Sequence, residues 1–232
     1  MEIINCINIS KQFGFFFALQ KISFTIEENT TFGILGSNGA GKTTLIKLLS
    51  GLINPTYGNV LINGLNYKDH PRRIKQSIGV ITDKSFLYED LTIYENLKFY
   101  DNLYYNFKKP HTKAKIDRYT EIFKLDDWVF EPIRNLSKGM KQKVELIRVL
   151  MHNPAILILD EPFSSIDQKT IPLLIDMLVE LKKRNKLTIV ISTHNIEIAQ
   201  QICDEIIIIK KGKIVKTIVK KDIQTEKIKE YM

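Results

Sequence analysis

Several features that mark whole classes of protein are missing or scarce in this chain. It has two cysteines, Cys6 and Cys203, far apart and without metal-ligand spacing. No disulfide framework or zinc site is readable, and free thiols of a reducing cytosol are expected. The purest apolar runs, Phe15 to Leu19 and Ala155 to Leu159, are five residues long, whereas a helix needs about 20 apolar residues to cross a bilayer. No membrane span is expected. Residues Met1 to Cys6 put no basic segment before a long apolar stretch, so no secretory signal is expected either. Seven prolines and eleven glycines in 232 residues mark no linker, and no internal repeat is visible. What remains is ordinary globular composition, 44% hydrophobic and 26% charged, sized for one large domain or two small ones.

Lys and Arg number 34 and Asp and Glu 26, a net charge of +8. A basic surface suits nucleic acid, anionic lipid or polyphosphate. Here the basic residues are scattered, apart from Lys210-Lys211-Gly212-Lys213, which reads as a hairpin turn, and Lys220-Lys221. No zinc-finger, homeodomain or RNP-type pattern accompanies them, so nucleic acid is not an expected partner.

The apolar pattern alternates between strand and helix periods. Ile3 to Ile9, Ile78 to Ile81 and Glu205 to Ile209 read as strands, Leu19 to Ile26 as a half-buried one, and Phe32 to Leu35, Ala155 to Asp160 and Leu187 to Ser192 as buried ones. Thr44 to Leu49, Thr92 to Tyr104, Lys113 to Lys124, Lys138 to Met151, Gln168 to Arg184 and Asn195 to Ile202 read as helices. The expected fold class is α/β with a mostly parallel core sheet and an inserted helical subdomain.

Two motifs carry chemistry. Gly36-Ser37-Asn38-Gly39-Ala40-Gly41-Lys42-Thr43-Thr44 fits G-x-x-x-x-G-K-[ST] between a buried strand and a helix, the context a phosphate-binding loop requires. Its glycines let backbone N–H groups converge on an anion at a helix N-terminus. Lys42 is expected on the β- and γ-phosphates and the Thr43 hydroxyl on Mg²⁺. Leu157-Ile158-Leu159-Asp160-Glu161-Pro162 then puts two carboxylates at the carboxyl end of a buried strand, the edge where α/β sheets bind ligands. Asp160 is suited to hold Mg²⁺, and Glu161 to polarise a water that attacks the γ-phosphate.

Together these residues resemble the ATPase cassette of the ABC transporter family, from about Ile3 to Val219. Leu136-Ser137-Lys138-Gly139-Met140 is similar to the LSGGQ signature, with Lys138 and Met140 departing from it. Ser164-Ser165-Ile166-Asp167 is similar to the D-loop, and His194 to the switch histidine. The resemblance implies a P-loop NTPase fold with an added N-terminal antiparallel β subdomain. The core lobe would cover about 1–82 and 153–219, the helical subdomain about 83–152, and a short C-terminal helix 220–232. It implies ATP and Mg²⁺ as cofactors, Phe13 stacked on adenine, and catalysis by Glu161 and His194. Ser137 and Gly139 would contact ATP held by the opposite protomer of a homo- or heterodimer. The family's coupling glutamine is replaced by Asp83, which implies an altered metal contact there. A separate integral-membrane permease is the implied partner, met by the aromatic run Phe86 to Leu97, with the chain peripheral on the cytoplasmic face. The signature wording resembles exporter cassettes. A soluble cassette of the iron–sulfur-assembly type and a non-hydrolysing ATP sensor are the alternatives.

Overall fold

The computed structural model describes residues 1–82, 84–105, 112–164, 166, 168–219, 222 and 225–231. Strand β1 (Glu2–Phe13) and β2 (Phe16–Glu27) form a long antiparallel hairpin. β4 (Tyr57–Ile62) and β5 (Leu65–Asn66) complete a four-stranded antiparallel sheet in the order β2-β1-β4-β5. The hairpin runs past the alternating stretches of the sequence because it turns at Gly14, and the aromatics around that turn face solvent rather than a core.

The second sheet has the order β10-β9-β3-β8-β7-β6. β3 (Thr31–Leu35), β6 (Ile78–Ile81), β7 (Ile156–Asp160), β8 (Thr188–Thr193) and β9 (Glu205–Lys210) are parallel, and β10 (Lys213–Val219) returns antiparallel from β9. Every residue of β3, β7 and β8 is buried, as unbroken Val/Ile/Leu-rich runs predict. Their side chains alternate between two cores. Ile34, Ile158 and Val190 pack towards the antiparallel sheet, while Leu35, Leu159 and Ile191 pack towards the helices.

Helix α1 (Lys42–Leu49) follows β3, and α2 (Pro71–Ser77) precedes β6. Between β6 and β7 lie α3 (Ile93–Tyr105), α4 (Thr112–Ile122) and α5 (Lys138–Leu150). Helices α6 (Thr170–Asn185), α7 (Ile196–Ile202) and α8 (Thr225–Tyr231) complete the chain. Helix α5 buries Val144 and Ile147 on its apolar stripe, and α6 buries Leu174, Leu178 and Leu181. Pro172 is the third residue of α6, where its missing N–H costs nothing. Among the described residues, no helix is long and apolar enough to cross a membrane.

One buried group makes the fold pH-sensitive. His152, after α5, stacks on Tyr104 at 3.9 Å and makes a 2.8 Å hydrogen bond through Nε2 to the Ile78 carbonyl. Burial pushes its imidazole from 6.5 down to about 4. Between those values the unfolded chain takes up a proton that the folded one excludes, so stability falls as pH is lowered. The total is about 3 kcal/mol, fully lost once pH is below the folded value. His152→Phe keeps the stacked ring and removes the titration. Urea unfolding at about pH 7 and about pH 4.5 should show a flatter pH slope for the variant; equal slopes would contradict the assignment.

Candidate nucleotide site

The phosphate loop spans the gap between β3 and α1 and is braced from outside. The β9–β10 turn has Lys211 at φ 48° and Gly212 at φ 74°, the paired left-handed conformation of a two-residue hairpin. The Gly212 N–H donates to the Ala40 carbonyl at 2.9 Å, and its own carbonyl accepts from Gln20 N–H at 2.8 Å. The basic cluster noted in the sequence is therefore a brace on the loop. Gly41 sits at φ 114°, and a Cβ there would lie 2.8 Å from the Ala18 carbonyl and from Leu19 Cδ2. Only glycine fits the position.

A cavity of about 290 Å³ opens over the loop, lined by Asn38, Gly39, Gly41, Lys42, Thr43 and Thr44, with Glu161 on one side and Phe16 and Ala18 on the other. Phe13 is not among its lining residues. Phe13 is half exposed with Lys11 over its ring, and Phe16 is the aromatic at the cavity. Gly36, Ser37 and Ala40 shape the loop from behind it: the Ala40 N–H donates to the Ser37 carbonyl at 3.1 Å.

Lys42 is buried and folds back on its own loop. Its ammonium donates to the Gly36 carbonyl at 2.8 Å and the Ser37 carbonyl at 3.2 Å. It also lies 3.2 Å from Glu161 Oε1, whose other oxygen lies 3.0 Å from His194 Nδ1. Lys42, Glu161 and His194 thus form one line of contacts beside the cavity. The Lys42 contact is a close ion approach without hydrogen-bond alignment, since Glu161 Oε1 is buried and has no hydrogen-bond partner.

Glu161 is held in a backbone conformation that side chains avoid, at φ 46°, which costs on the order of 1–3 kcal/mol and concentrates at working sites. Ser192 holds it there. The Glu161 N–H donates to Ser192 Oγ at 2.9 Å, and the Ser192 hydroxyl donates to Asp160 Oδ1 at 2.5 Å. The pairing follows from register, because Asp160 on β7 stands opposite Ser192 on β8. Sequence reasoning gave Ser192 no role. Its one signal was a hydroxyl directly after the apolar run Ile189 to Ile191.

Thr43 and Asp160 offer one hydroxyl and one carboxylate. Among the described residues, no group of three or more His, Cys, Asp or Glu is placed to hold a metal by itself. That donor set fits Mg²⁺, which takes one or two protein oxygens and completes its shell with phosphates and water.

Ser137 and Gly139 do not line the loop cavity. Ser137 caps α5, accepting from the Met140 N–H at 3.2 Å, and is exposed. A Cβ on Gly139 would lie 3.2 Å from Thr170 Cγ2, so close packing against α6 also favours glycine. Asp83, Ser165 and Asp167 lie outside the described residues, as do Lys220 and Lys221.

The ABC transporter family model matches residues 19–164. The chain belongs to the ABC transporter ATP-binding family. It is 40% identical over 208 residues to an uncharacterized ABC transporter ATP-binding protein of Methanocaldococcus jannaschii, covering 90% of this chain and 74% of that one. A Nod factor export ATP-binding protein of Burkholderia lata is 32% identical, covering 89% of this chain and 67% of the relative. The methionine import ATP-binding protein MetN of Geobacillus kaustophilus is 35% identical, covering 85% and 59%. Among solved structures, CbiO1 of Clostridium perfringens, part of the CbiONQ ABC transporter complex, superposes with a TM-score of 0.87 at 26% identity, covering 99% of this chain and 94% of that one. A dimeric ATP-binding cassette in a post-hydrolysis state with ADP and phosphate gives 0.82 at 25% identity, covering 94% and 98%. This chain is an ABC-type ATPase subunit, with the mixed α/β cassette fold of those structures.

Proposed function

We propose that this subunit powers a separate membrane permease by hydrolysing ATP at an interface between two cassettes. The observation that carries the reading is the Lys42–Glu161–His194 line over the phosphate loop, with Ser137 exposed outside that cavity. An exposed helix N-terminus outside its own loop's cavity is placed to receive a phosphate from elsewhere. Two copies, or this chain and a paralogue, would sandwich two ATP head to tail. The γ-phosphate on one protomer's Lys42 would then meet Ser137 and Gly139 of the other. Glu161 is the base for the attacking water and His194 orients it, while Phe16 or Phe13 flanks the adenine. Thr43 and Asp160 would hold Mg²⁺, which neutralises charge on the β- and γ-phosphate oxygens when bound.

The permease would hold the chain at the inner face of the membrane. Its docking surface is the exposed aromatic face of Phe86, Tyr88 and Phe99; aromatics are enriched at protein interfaces. Outward transport is the proposed direction, on the Leu136–Gln142 wording and the similarity to a Nod factor export protein. A methionine import protein is similar at a comparable level, so the direction is tested by transport itself. In inside-out vesicles with external ATP, an exporter fills the lumen with cargo and an importer empties it.

Purification of a tagged chain from gently solubilised membranes tests the permease. A stoichiometric multi-span protein is expected to accompany it. Recovery from the soluble fraction, with soluble partners or none, would instead favour an iron–sulfur-assembly cassette or a sensor.

A further inference from the structure

The second half of α5 is buried on all sides, from Val144 to Leu150. That stretch contains two charged side chains, Glu145 and Arg148, only 6% and 9% exposed. Buried charges are costly unless every lone pair and proton finds a partner. Here the partners lie on other elements. Glu145 Oε2 accepts from Arg148 Nε at 2.6 Å. Glu145 Oε1 accepts from Ser85 Oγ at 2.7 Å and from the Phe86 N–H at 2.8 Å. Arg148 donates to the Val80 carbonyl at the end of β6 at 3.2 Å. Its guanidinium also lies over the rings of Phe86 and Tyr100, at 5.4 and 5.0 Å.

The segment pinned in this way carries the exposed aromatics. Beyond Phe86, the Tyr88 N–H donates to Asn96 Oδ1 at 2.8 Å, and Asn96 Nδ2 donates back to the Tyr88 carbonyl at 3.0 Å. Tyr88 meets Phe99 edge to face at 5.2 Å. Residues 85–88 are therefore tied to α5 on one side and to α3 on the other. On the inner side, Ser85 and Glu145 line the same cleft of about 340 Å³ as Asp160, Glu161, Lys138 and Gln142. One polar network thus runs from the catalytic cleft, through the body of α5, to the aromatic surface.

We propose that the Glu145–Arg148 pair is a coupling latch. It fixes residues 85–88 to α5, so that a shift of the α5 N-terminus, when Ser137 engages the partner's nucleotide, moves Phe86 and Tyr88 with it. The pair is a positioning element: its oxygens and guanidinium are occupied by Ser85, Phe86 and Val80 rather than by nucleotide. A rigid hydrogen-bonded path between two sites is a physical carrier of coupling. The inference rests on the two-cassette reading above.

Amide hydrogen exchange over residues 85–91 tests it in a Glu161→Gln parent, with and without ATP. The parent should dimerise with ATP and change exchange in this segment by about 5-fold or more, the usual scale of coupling between sites. Adding Glu145→Ala, which removes the pair, should leave ATP affinity and dimerisation in place and abolish the ATP-dependent change. Ser85→Ala deletes one exposed hydroxyl and should halve the response without threatening folding. It keeps the test decisive if Glu145→Ala does not fold. A purely structural role would alter melting but not the nucleotide dependence of exchange. An undiminished ATP response in Ser85→Ala, and in Glu145→Ala where folded, would overturn the latch. So would a parent that dimerises with ATP while residues 85–91 do not respond. A parent that binds ATP without dimerising would overturn the two-cassette reading instead.

Discussion

Glu161→Gln is expected to lower steady-state ATP turnover by about 10²- to 10⁴-fold, the usual contribution of a general base, with ATP binding retained. The amide is isosteric and still meets His194, whose Nδ1 lies 3.0 Å from the present carboxylate. It removes the charge opposite Lys42 and the basic lone pair that would take the proton from water. The strained backbone at φ 46° and its Ser192 support are unchanged by the substitution, so the loss reports on the carboxylate and not on a rebuilt loop. Phosphate release at saturating ATP measures it. Parental turnover in the variant would remove Glu161 from the role of base.

The second large effect is expected at Lys42. A charged hydrogen bond is worth about 1.5–3 kcal/mol, so Lys42→Ala should weaken ATP binding by about 10- to 100-fold. The substitution also removes the ammonium donor from the Gly36 and Ser37 carbonyls, of which Ser37 keeps the Ala40 N–H, and leaves Glu161 in contact with His194. Titration of a fluorescent ATP analogue, with circular dichroism to confirm folding, separates lost contact from lost structure. A folded variant with parental affinity would contradict the phosphate-loop assignment.

These predictions come from residues that were legible in the sequence, and it is instructive where legibility stopped. The phosphate loop and the acidic strand end declare themselves because their chemistry is local, with neighbouring residues in one loop or strand. The buried strands were readable for the same reason, as the runs Ile156 to Leu159 and Ile189 to Ile191 within them are wholly apolar. Ser192 was not legible as a support for Asp160 and Glu161, because that role exists only once β7 and β8 lie in register. Phe13 and Phe16 face each other across the hairpin, and only the folded chain shows that Phe16 lines the loop cavity. Helix α2 escaped notice since Ile74 is its one buried residue, too little to set a helical period. Glu145 and Arg148 carried no sequence signal of burial; only the packing of α5 shows them buried.

The account stands on ATP held between two cassettes, and sedimentation of the Glu161→Gln protein tests that most directly. Without nucleotide it should run as a monomer, and with ATP as a dimer. A further Ser137→Glu substitution, which sets a carboxylate against the partner's γ-phosphate, should return it to a monomer that still binds ATP. A Glu161→Gln chain that stays monomeric while its site is saturated with ATP would contradict the account.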